Sequence, residues 1–535
     1  MKGRAMGIGA AALVVSGGVL VSRVLGLGRE TMLAALIGVN AVGDVYRAAF
    51  LVPDLLNYLL AGGYLTITFV PILASRLAAD DPEGGNRAFV AVFRVVTGLT
   101  VLLTGVLMVW AAPLIELIYP ELSPDQLGEV TRLTLIALPA QVFFVGGSLL
   151  MAYQYAHRRF LVPVAAPIVY NLSIILGGMT GGVLMDPVPA DGFVWGALVG
   201  AAVGNFGIQW FGARRVGLRL VRGVEWKHRA VWTYLGLAVP LMVGQSVAVL
   251  DEQFVRFFGQ LTPDGGISAI SFARVLNMVP VGMVAQAAGV AAFPFLASLA
   301  ASGRRSELVE TTLRTARMTL FLGTGAAAAV LAVGAPGVRL VFQWGAFGSA
   351  DSAMVAQLLA VYALAIPAWG VHQVISRSFY AERRMWPPVV IGTLAAAAAV
   401  PLSLGLVSAR GANGLVWASV ISVGAYTVAL TLFWLRGQDA GGRSLALVLG
   451  RSLVAGVAAS GAGWMVAGWF SRDRAWDITE AVGAFVVGGL VVAAVFWAVA
   501  RLLGSRELQA LREARRRGGA DDSPGTDSPD RPGPG

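Results

Sequence analysis

The 535-residue chain contains no cysteine, which excludes disulfides, thiolate metal sites and cysteine nucleophiles. Histidine occurs at His157, His228 and His372 only, too far apart in sequence for a metal-ligand spacing. Lysine occurs only at Lys2 and Lys227, so nearly every cation is an arginine. Charge of either sign is scarce: 13% of residues, against about 25% in soluble domains. In its place, 57% of the residues are hydrophobic and the mean hydropathy is +0.72. A soluble enzyme, a disordered protein and a nucleic-acid binder are all excluded by that balance. The net charge of +10 (40 Lys+Arg against 30 Asp+Glu) would suit nucleic acid, but the placement of the arginines argues against it.

A bilayer crossing needs about 17–25 apolar residues. Fourteen stretches qualify, roughly at 6–28, 41–78, 88–112, 126–154, 160–184, 191–213, 231–260, 266–300, 312–335, 352–380, 387–408, 411–435, 445–470 and 480–503. Pro53, Pro280 and Pro294 fall inside two of them and predict kinked or broken helices there. The first stretch follows Lys2 and Arg4, yet it runs past signal-peptide length to Arg23 with no small-residue cleavage site, so it reads as a first helix. Placing both termini in the cytoplasm puts 29 of the 40 Lys+Arg on the cytoplasmic side, 6 opposite and 5 inside spans. That is the positive-inside bias, and it accounts for the basic composition without nucleic acid. The expectation is an all-α polytopic membrane protein of fourteen helices. At the C-terminus, residues 505–517 read as a basic helix suited to anionic headgroups, and 518–535 as a disordered tail.

The two halves echo one another. Tyr155-Ala156-His157-Arg158-Arg159 with Pro163 matches Tyr380-Ala381-Glu382-Arg383-Arg384 with Pro388, at an offset of 225. Val70-Pro71-Ile72-Leu73-Ala74-Ser75 matches Phe293-Pro294-Phe295-Leu296-Ala297-Ser298 at 223, and Leu138-Pro139-Ala140 matches Ile366-Pro367-Ala368. The offset spans six helices, an even number, so both copies share one orientation. Parallel repeats of this kind belong to transporters whose substrate site lies between the halves. The expected units are an N-terminal lobe at 1–220, a C-terminal lobe at 221–436, two added helices at 437–504 and the cytoplasmic segment 505–535.

Charges stand inside the spans at Arg23, Asp44, Arg47, Asp54, Asp251, Glu252, Arg256, Arg274 and Arg377, beside His372, with Arg29 at a helix end. Each charge at the bilayer centre costs about 2.5–3.5 kcal/mol, so such groups face protein interior or a wet cavity. Arg23 and Arg29, six residues apart, lie on helix faces about 120° from each other. For Arg47, snorkelling or pairing with Asp44 or Asp54 stands beside a role in the cavity. Asp251, Glu252 and Arg256 read either as structural ion pairs, Glu252–Arg256 at i,i+4, or as an ion- or proton-coupling group. His372 reads as a satisfied core group or a proton relay. Arginine stays charged when desolvated and grips phosphate oxygens bidentately, so a cavity with surplus arginine suits an anionic substrate such as a phosphate or diphosphate.

Ser22-Arg23-Val24-Leu25-Gly26-Leu27-Gly28-Arg29-Glu30, then Gly43-Asp44, Phe50-Leu51-Val52-Pro53-Asp54-Leu55-Leu56 and Phe69-Val70-Pro71-Ile72-Leu73 resemble the start of the MurJ/MviN lipid II flippases, whose pattern runs SRVLGxxRD, TDAF, FRLPNLLRR and FVPxL. In the second half, Val279-Pro280-Val281-Gly282, Phe293-Pro294, Trp344-Gly345-Ala346-Phe347 and Phe379-Tyr380-Ala381 look like LPxGV, LP, RGAF and FYA. The resemblance covers essentially the whole chain. It implies a transporter of the multidrug/oligosaccharidyl-lipid/polysaccharide exporter superfamily that moves undecaprenyl-diphosphate-linked disaccharide-pentapeptide, lipid II, to the outer leaflet of the bacterial inner membrane for peptidoglycan synthesis. Carried over by motif, Ser22, Arg23, Arg29 and Asp44 match family cavity residues. With Arg47, Asp54, Asn57 and Arg274 they form the expected substrate site. Asp251, Glu252, Arg256 and His372 are the candidates for coupling to Na+, H+ or the membrane potential. No cofactor, metal or nucleic acid is expected; membrane lipids and cell-wall synthesis proteins are the expected partners beside lipid II.

The chain departs from the pattern at four places. Asp54-Leu55-Leu56-Asn57-Tyr58 stands for Asn-Leu-Leu-Arg-Arg, and Gly62 for a glutamate. Arg274 comes one place before the usual arginine, and Val255 stands where the usual coupling acid would be, a turn after Asp251. An exporter of other lipid-linked oligosaccharides, a membrane enzyme acting on polyprenyl phosphates and a non-transporting scaffold are the rival readings. The enzyme would need an acid/base or metal constellation, and no HExxH, P-loop or DDxxD-like run is present.

Overall fold

In a lipid core every backbone N–H and C=O needs an internal partner, which long apolar runs achieve as helices. The computed structural model describes residues 8–61, 64–184, 189–220, 227–436, 441–470 and 477–508; among these residues it is helical, with no strand. Lys2, Arg4, Gly62, the segment from 509 onward and the side chain of Asp251 lie outside the described residues.

The first apolar stretch is α1 (Ile8–Leu36) and the second a broken rod of α2 (Ala41–Ala49), α3 (Leu51–Ala61) and α4 (Tyr64–Ala78). Then come α5 (Pro82–Val109), a short α6 (Ala111–Ile118), and α7 (Pro124–Ala137) followed almost without a gap by α8 (Ala140–Ala156). The first half ends with α9 (Leu161–Leu184), α10 (Pro189–Gly200), a π-helical stretch (Ala201–Gly207) and α11 (Ile208–Arg215). The second half begins with α12 (Arg229–Phe258), α13 (Gly266–Val281), a second π-helical stretch (Gly282–Gln286) and α14 (Ala287–Ala301). It continues through α15 (Arg305–Phe342), α16 (Ser349–Ala363), α17 (Ile366–Ala381), α18 (Trp386–Leu435), α19 (Gly441–Phe470) and α20 (Ile478–Leu502).

All fourteen apolar stretches are thus occupied by helix. By length and hydropathy alone, nine helices among the described residues can cross a bilayer, or ten if α16 and α17, bent by 43°, form one span. The 50-residue α18 holds two of the fourteen stretches, divided at Gly411, whose φ of 55° and ψ of −136° only glycine adopts without strain. Two of the three prolines mark breaks, with α3 starting just ahead of Pro53 and the π-helical stretch at Gly282 following Pro280, whereas Pro294 lies inside the continuous α14.

The repeat is legible in the backbone. Arg158 and Arg383, equivalent in the two YAxRR segments, both take left-handed conformations, with φ of 57° and 58°. Beyond each, the chain closes on its helix: Arg159 N–H donates to Gln154 O at 2.9 Å and Arg384 N–H to Phe379 O at 2.8 Å. The same turn recurs at the other shared offset, with φ of 54° at Asp80 and 71° at Gly303. There Asp81 N–H reaches Arg76 O at 3.0 Å and Arg304 N–H reaches Leu299 O at 3.1 Å. Each is a six-to-one helix-terminating bond.

Several contacts tie the halves at one end of the bundle, among them Gln260 Nε2 donating to Ile118 O at 2.9 Å. Asp44 in α2 accepts the N–H groups of Gly265 and Ser268, each at 2.7 Å, and so caps α13 from across the molecule. Beside it, Ala346 N–H donates to Ala35 O at 2.8 Å. The largest buried apolar cluster runs from Leu33 to Val416 and so draws on both halves, whereas α19 and α20 pack on α15 in a second cluster.

Candidate functional site

Most of the charged groups inside the helices gather into one network; Arg377 of α17 and Asp44, which caps α13, stand outside it. Glu30, adjacent to Arg29 on α1, has a side chain only 7% exposed. Its two oxygens are divided: Oε1 accepts from Arg29 Nη2 and Oε2 from Arg47 Nη2, both at 2.7 Å. Arg47 also lies over the ring of Phe272, 4.8 Å from guanidinium carbon to centroid, a cation–π contact that ties α2 to α13. A buried carboxylate shared by two guanidiniums needs no other counter-charge.

A second group continues the first. The chain break at Phe50 redirects the helix before Asp54, and Asp54 accepts from Arg256 of α12 at 2.6 Å. Arg256 donates also to Glu252, one turn earlier, at 2.9 Å, and Arg274 of α13 approaches the other oxygen of Glu252 at 3.8 Å. Asp54 and Glu252 keep 29% and 33% of their side chains exposed, so this group opens onto accessible space. The two groups feel each other: Asp54 lies in the field of Arg29, and Glu252 in that of Arg47 and Glu30.

Arg23 stands on the same α1, exposed, with its guanidinium against the backbone of Gly282, where an added methyl would lie 2.6 Å from Nη1. The cluster therefore assembles Arg29, Arg47, Arg256 and Arg274 around Glu30, Asp54 and Glu252, with Arg23 about two turns earlier on α1. Two of the three carboxylates are shared: Glu30 and Glu252 each serve two arginines, whereas Asp54 pairs with Arg256. Among the described residues no group of three or more potential metal ligands could hold a metal ion.

The expected residues fall into three sets. Arg29, Arg47, Asp54, Glu252, Arg256 and Arg274 converge, while Arg23 is placed against Gly282. Arg47 pairs with Glu30 rather than with Asp44 or Asp54, because Asp44 spends both oxygens on α13. The i,i+4 pair Glu252–Arg256 forms as the spacing indicates. Ser22 and Asn57 border the cluster, Ser22 beside Asn171 Nδ2 (3.5 Å) and Asn57 donating to Gln141 Oε1 (2.8 Å). His372 lies elsewhere, between α12, α17 and α18, facing a cavity of about 70 Å³. Its ring is 5.7 Å from Trp369 and 4.7 Å from Tyr426; Nε2 is 3.4 Å from Ser376 Oγ, and Nδ1 has no hydrogen-bond partner among the described residues.

Sequence reasoning missed Glu30, Gln141 and Asn171. Glu30 carried a signal, being the acid next to Arg29 in the first motif. Nothing in the sequence marked Gln141 or Asn171.

The chain was compared with known proteins. The family model described as lipid II flippase MurJ matches residues 33–482. A probable lipid II flippase MurJ of Rhizobium meliloti is 27% identical over 94% of this chain and 95% of its own length. The lipid II flippase MurJ of Burkholderia cenocepacia is 28% identical over 71% and 75%. Among solved structures, a lipid II flippase MurJ in an inward closed conformation superposes with a TM-score of 0.73 at 19% identity, covering 92% of this chain and 98% of that one. An inward-facing multidrug-resistance MATE family transporter of the MOP superfamily gives 0.63 at 14% identity over 82% and 98%.

Proposed function

Because the chain belongs to the lipid II flippase MurJ family, we propose that it carries lipid II from the inner to the outer leaflet of a bacterial inner membrane by alternating access. The family is one of transporters rather than enzymes, and the many apolar helices make this a multi-pass membrane protein. The same fold serves the MATE transporter, but the family match over 33–482 favours lipid II over the cargo of that branch.

The observation that carries the reading is the arginine-rich network that joins the two halves. Arg29, Arg47, Arg256 and Arg274 gather there around Glu30, Asp54 and Glu252, and guanidinium forks of this kind grip the oxygens of a diphosphate diester. Arg23 and Arg29 of α1, with Arg274 of α13, hold the diphosphate; Ser22 and Asn57 offer polar contacts beside it. Glu30 and Glu252 keep neighbouring guanidiniums from repelling each other while the site is empty. The prenyl tail stays in lipid between helices.

The two lobes, 1–220 and 221–436, rock about this site, with helices at 437–504 attached to the second lobe and the segment 505–535 in the cytoplasm beside both termini. The Asp44 cap on α13 and the Ala35–Ala346 bond hold the outer end shut. Opening requires a ligand that binds the outward state more tightly, since equal affinity shifts nothing. Glu252 and Arg256, with Asp251 and His372 as further candidates, are the groups through which Na+, H+ or the membrane potential resets the cycle. Cell-wall synthesis proteins receive the cargo.

The test is genetic. In a bacterium depleted of its own lipid II flippase, this chain restores growth and outer-leaflet lipid II, whereas Arg29→Ala does not despite normal membrane levels. Failure of the wild-type chain to support growth, or full growth with Arg29→Ala, would refute the proposal.

A further inference from the structure

A second cationic site lies outside the central network, at the end of the bundle where α15 and α19 begin and α20 finishes. Arg314 and Arg317 of α15, Arg451 of α19 and Arg506 beyond α20 line one groove of about 640 Å³ with Glu310 and Glu507. Four guanidiniums stand against two carboxylates. Arg314, Arg317 and Arg506 form no ion pair among the described residues. Glu507 is held instead by Ser505 Oγ at 2.9 Å. The groove is built rather than incidental: Arg451 Nη1 donates to Gly504 O at 3.3 Å, and Gly504 turns the chain with φ of 67°.

The sequence places this groove at headgroup depth. The first turns of α15 carry Arg305, Glu307, Glu310, Arg314 and Arg317, and no charge follows from Met318 until Arg339. Immediately deeper on the same face of α15, an apolar groove begins, lined by Phe321, Leu322, Gly325, Phe496 and Trp497. Arg314 and Gly325 are eleven residues apart, which returns a helix to within about 20° of the same direction. Arg314 and Arg317 thus stand at the mouth of a furrow that runs toward the membrane interior between α15 and α20.

We propose that this pair of grooves is a binding site for an anionic phospholipid, its phosphate on Arg314, Arg317 and Arg506 and one acyl chain along the α15–α20 furrow. A basic pocket between membrane helices is the arrangement that selects anionic headgroups over zwitterionic ones. The apolar furrow distinguishes a lipid from free phosphate, which would use the arginines alone. Such a lipid clamps α19 and α20 to α15, away from the cargo site.

The full chain in phosphatidylcholine nanodiscs containing a few per cent of phosphatidylglycerol with a diazirine on its acyl chain tests this directly. Photolabel should appear in peptides spanning 318–329 or 489–497 and should fall about tenfold in R314Q/R317Q/R506Q. The triple lysine variant should keep at least half, and inorganic phosphate should not compete. Equal labelling by a phosphatidylcholine probe, or undiminished labelling of the glutamine variant in protein of unchanged helicity, would overturn the site. The chain's own acidic tail is the rival occupant: a several-fold rise in labelling after removal of 518–535 would assign the groove to the tail and overturn the lipid.

Discussion

At the scale of single residues, Glu30 decides whether the cationic cluster can exist unloaded. It separates Arg29 from Arg47 with two 2.7 Å contacts. Glu30→Gln keeps the shape and removes the charge, leaving two guanidiniums to repel one another inside the bundle. Breaking a buried pair costs about 3–5 kcal/mol. Arg29 is 29% exposed and partly rescued by water, so the expected loss is about 2–3 kcal/mol, read as a lowered unfolding temperature in detergent. A second change, Arg47→Gln, should recover part of it. Unchanged stability of Glu30→Gln would mean that the cluster does not need the carboxylate. The cations themselves were legible in the sequence, because an arginine in an apolar run has few explanations. Their partners were not. Asp54 and Arg256 stand 202 residues apart, and no spacing rule joins residues so distant.

At the scale of elements, the apolar runs located the helices, and proline and repeat signals located several of their breaks. What the sequence withheld was how elements end on one another. Asp44 looked like a member of the cargo site because it lies in the motif series and inside a span. It instead caps α13, since a helix start buried among other helices leaves N–H groups that only a neighbouring acceptor can satisfy. Asp44→Asn leaves one acceptor and turns an amide NH2 toward a backbone N–H. It should loosen the start of α13 by about 1–2 kcal/mol and raise thiol-reagent labelling of a cysteine introduced at Ala269, which is fully buried in the first turn of α13. If labelling of that cysteine stays at the wild-type level, the cap does not hold this end closed. The repeated left-handed turns at Arg158 and Arg383 are the counterpart: there the sequence match did announce a shared backbone geometry.

At the scale of the whole molecule, the halves touch at the Asp44 cap and the Ala35–Ala346 bond, and an arginine-rich network joins α1, α2 and α3 to α12 and α13. A carrier needs both, a closed end and a site able to bind from the other. Because the chain has no native cysteine, a pair introduced at Ala35 and Ala346 is free of background. Joining them with a short thiol crosslinker should stop lipid II from reaching the outer leaflet, and reductant should restore it. Continued transport by the crosslinked protein would show that this end need not open.

The arginine site is tested most directly by equilibrium binding of undecaprenyl diphosphate to the purified chain and to Arg23→Ala and Arg29→Ala. Each removed contact to a charged group is worth about 1.5–3 kcal/mol, so each variant should bind roughly ten- to a hundredfold more weakly, and the wild-type affinity should fall as salt rises. Equal binding by all three proteins, insensitive to salt, would contradict the account.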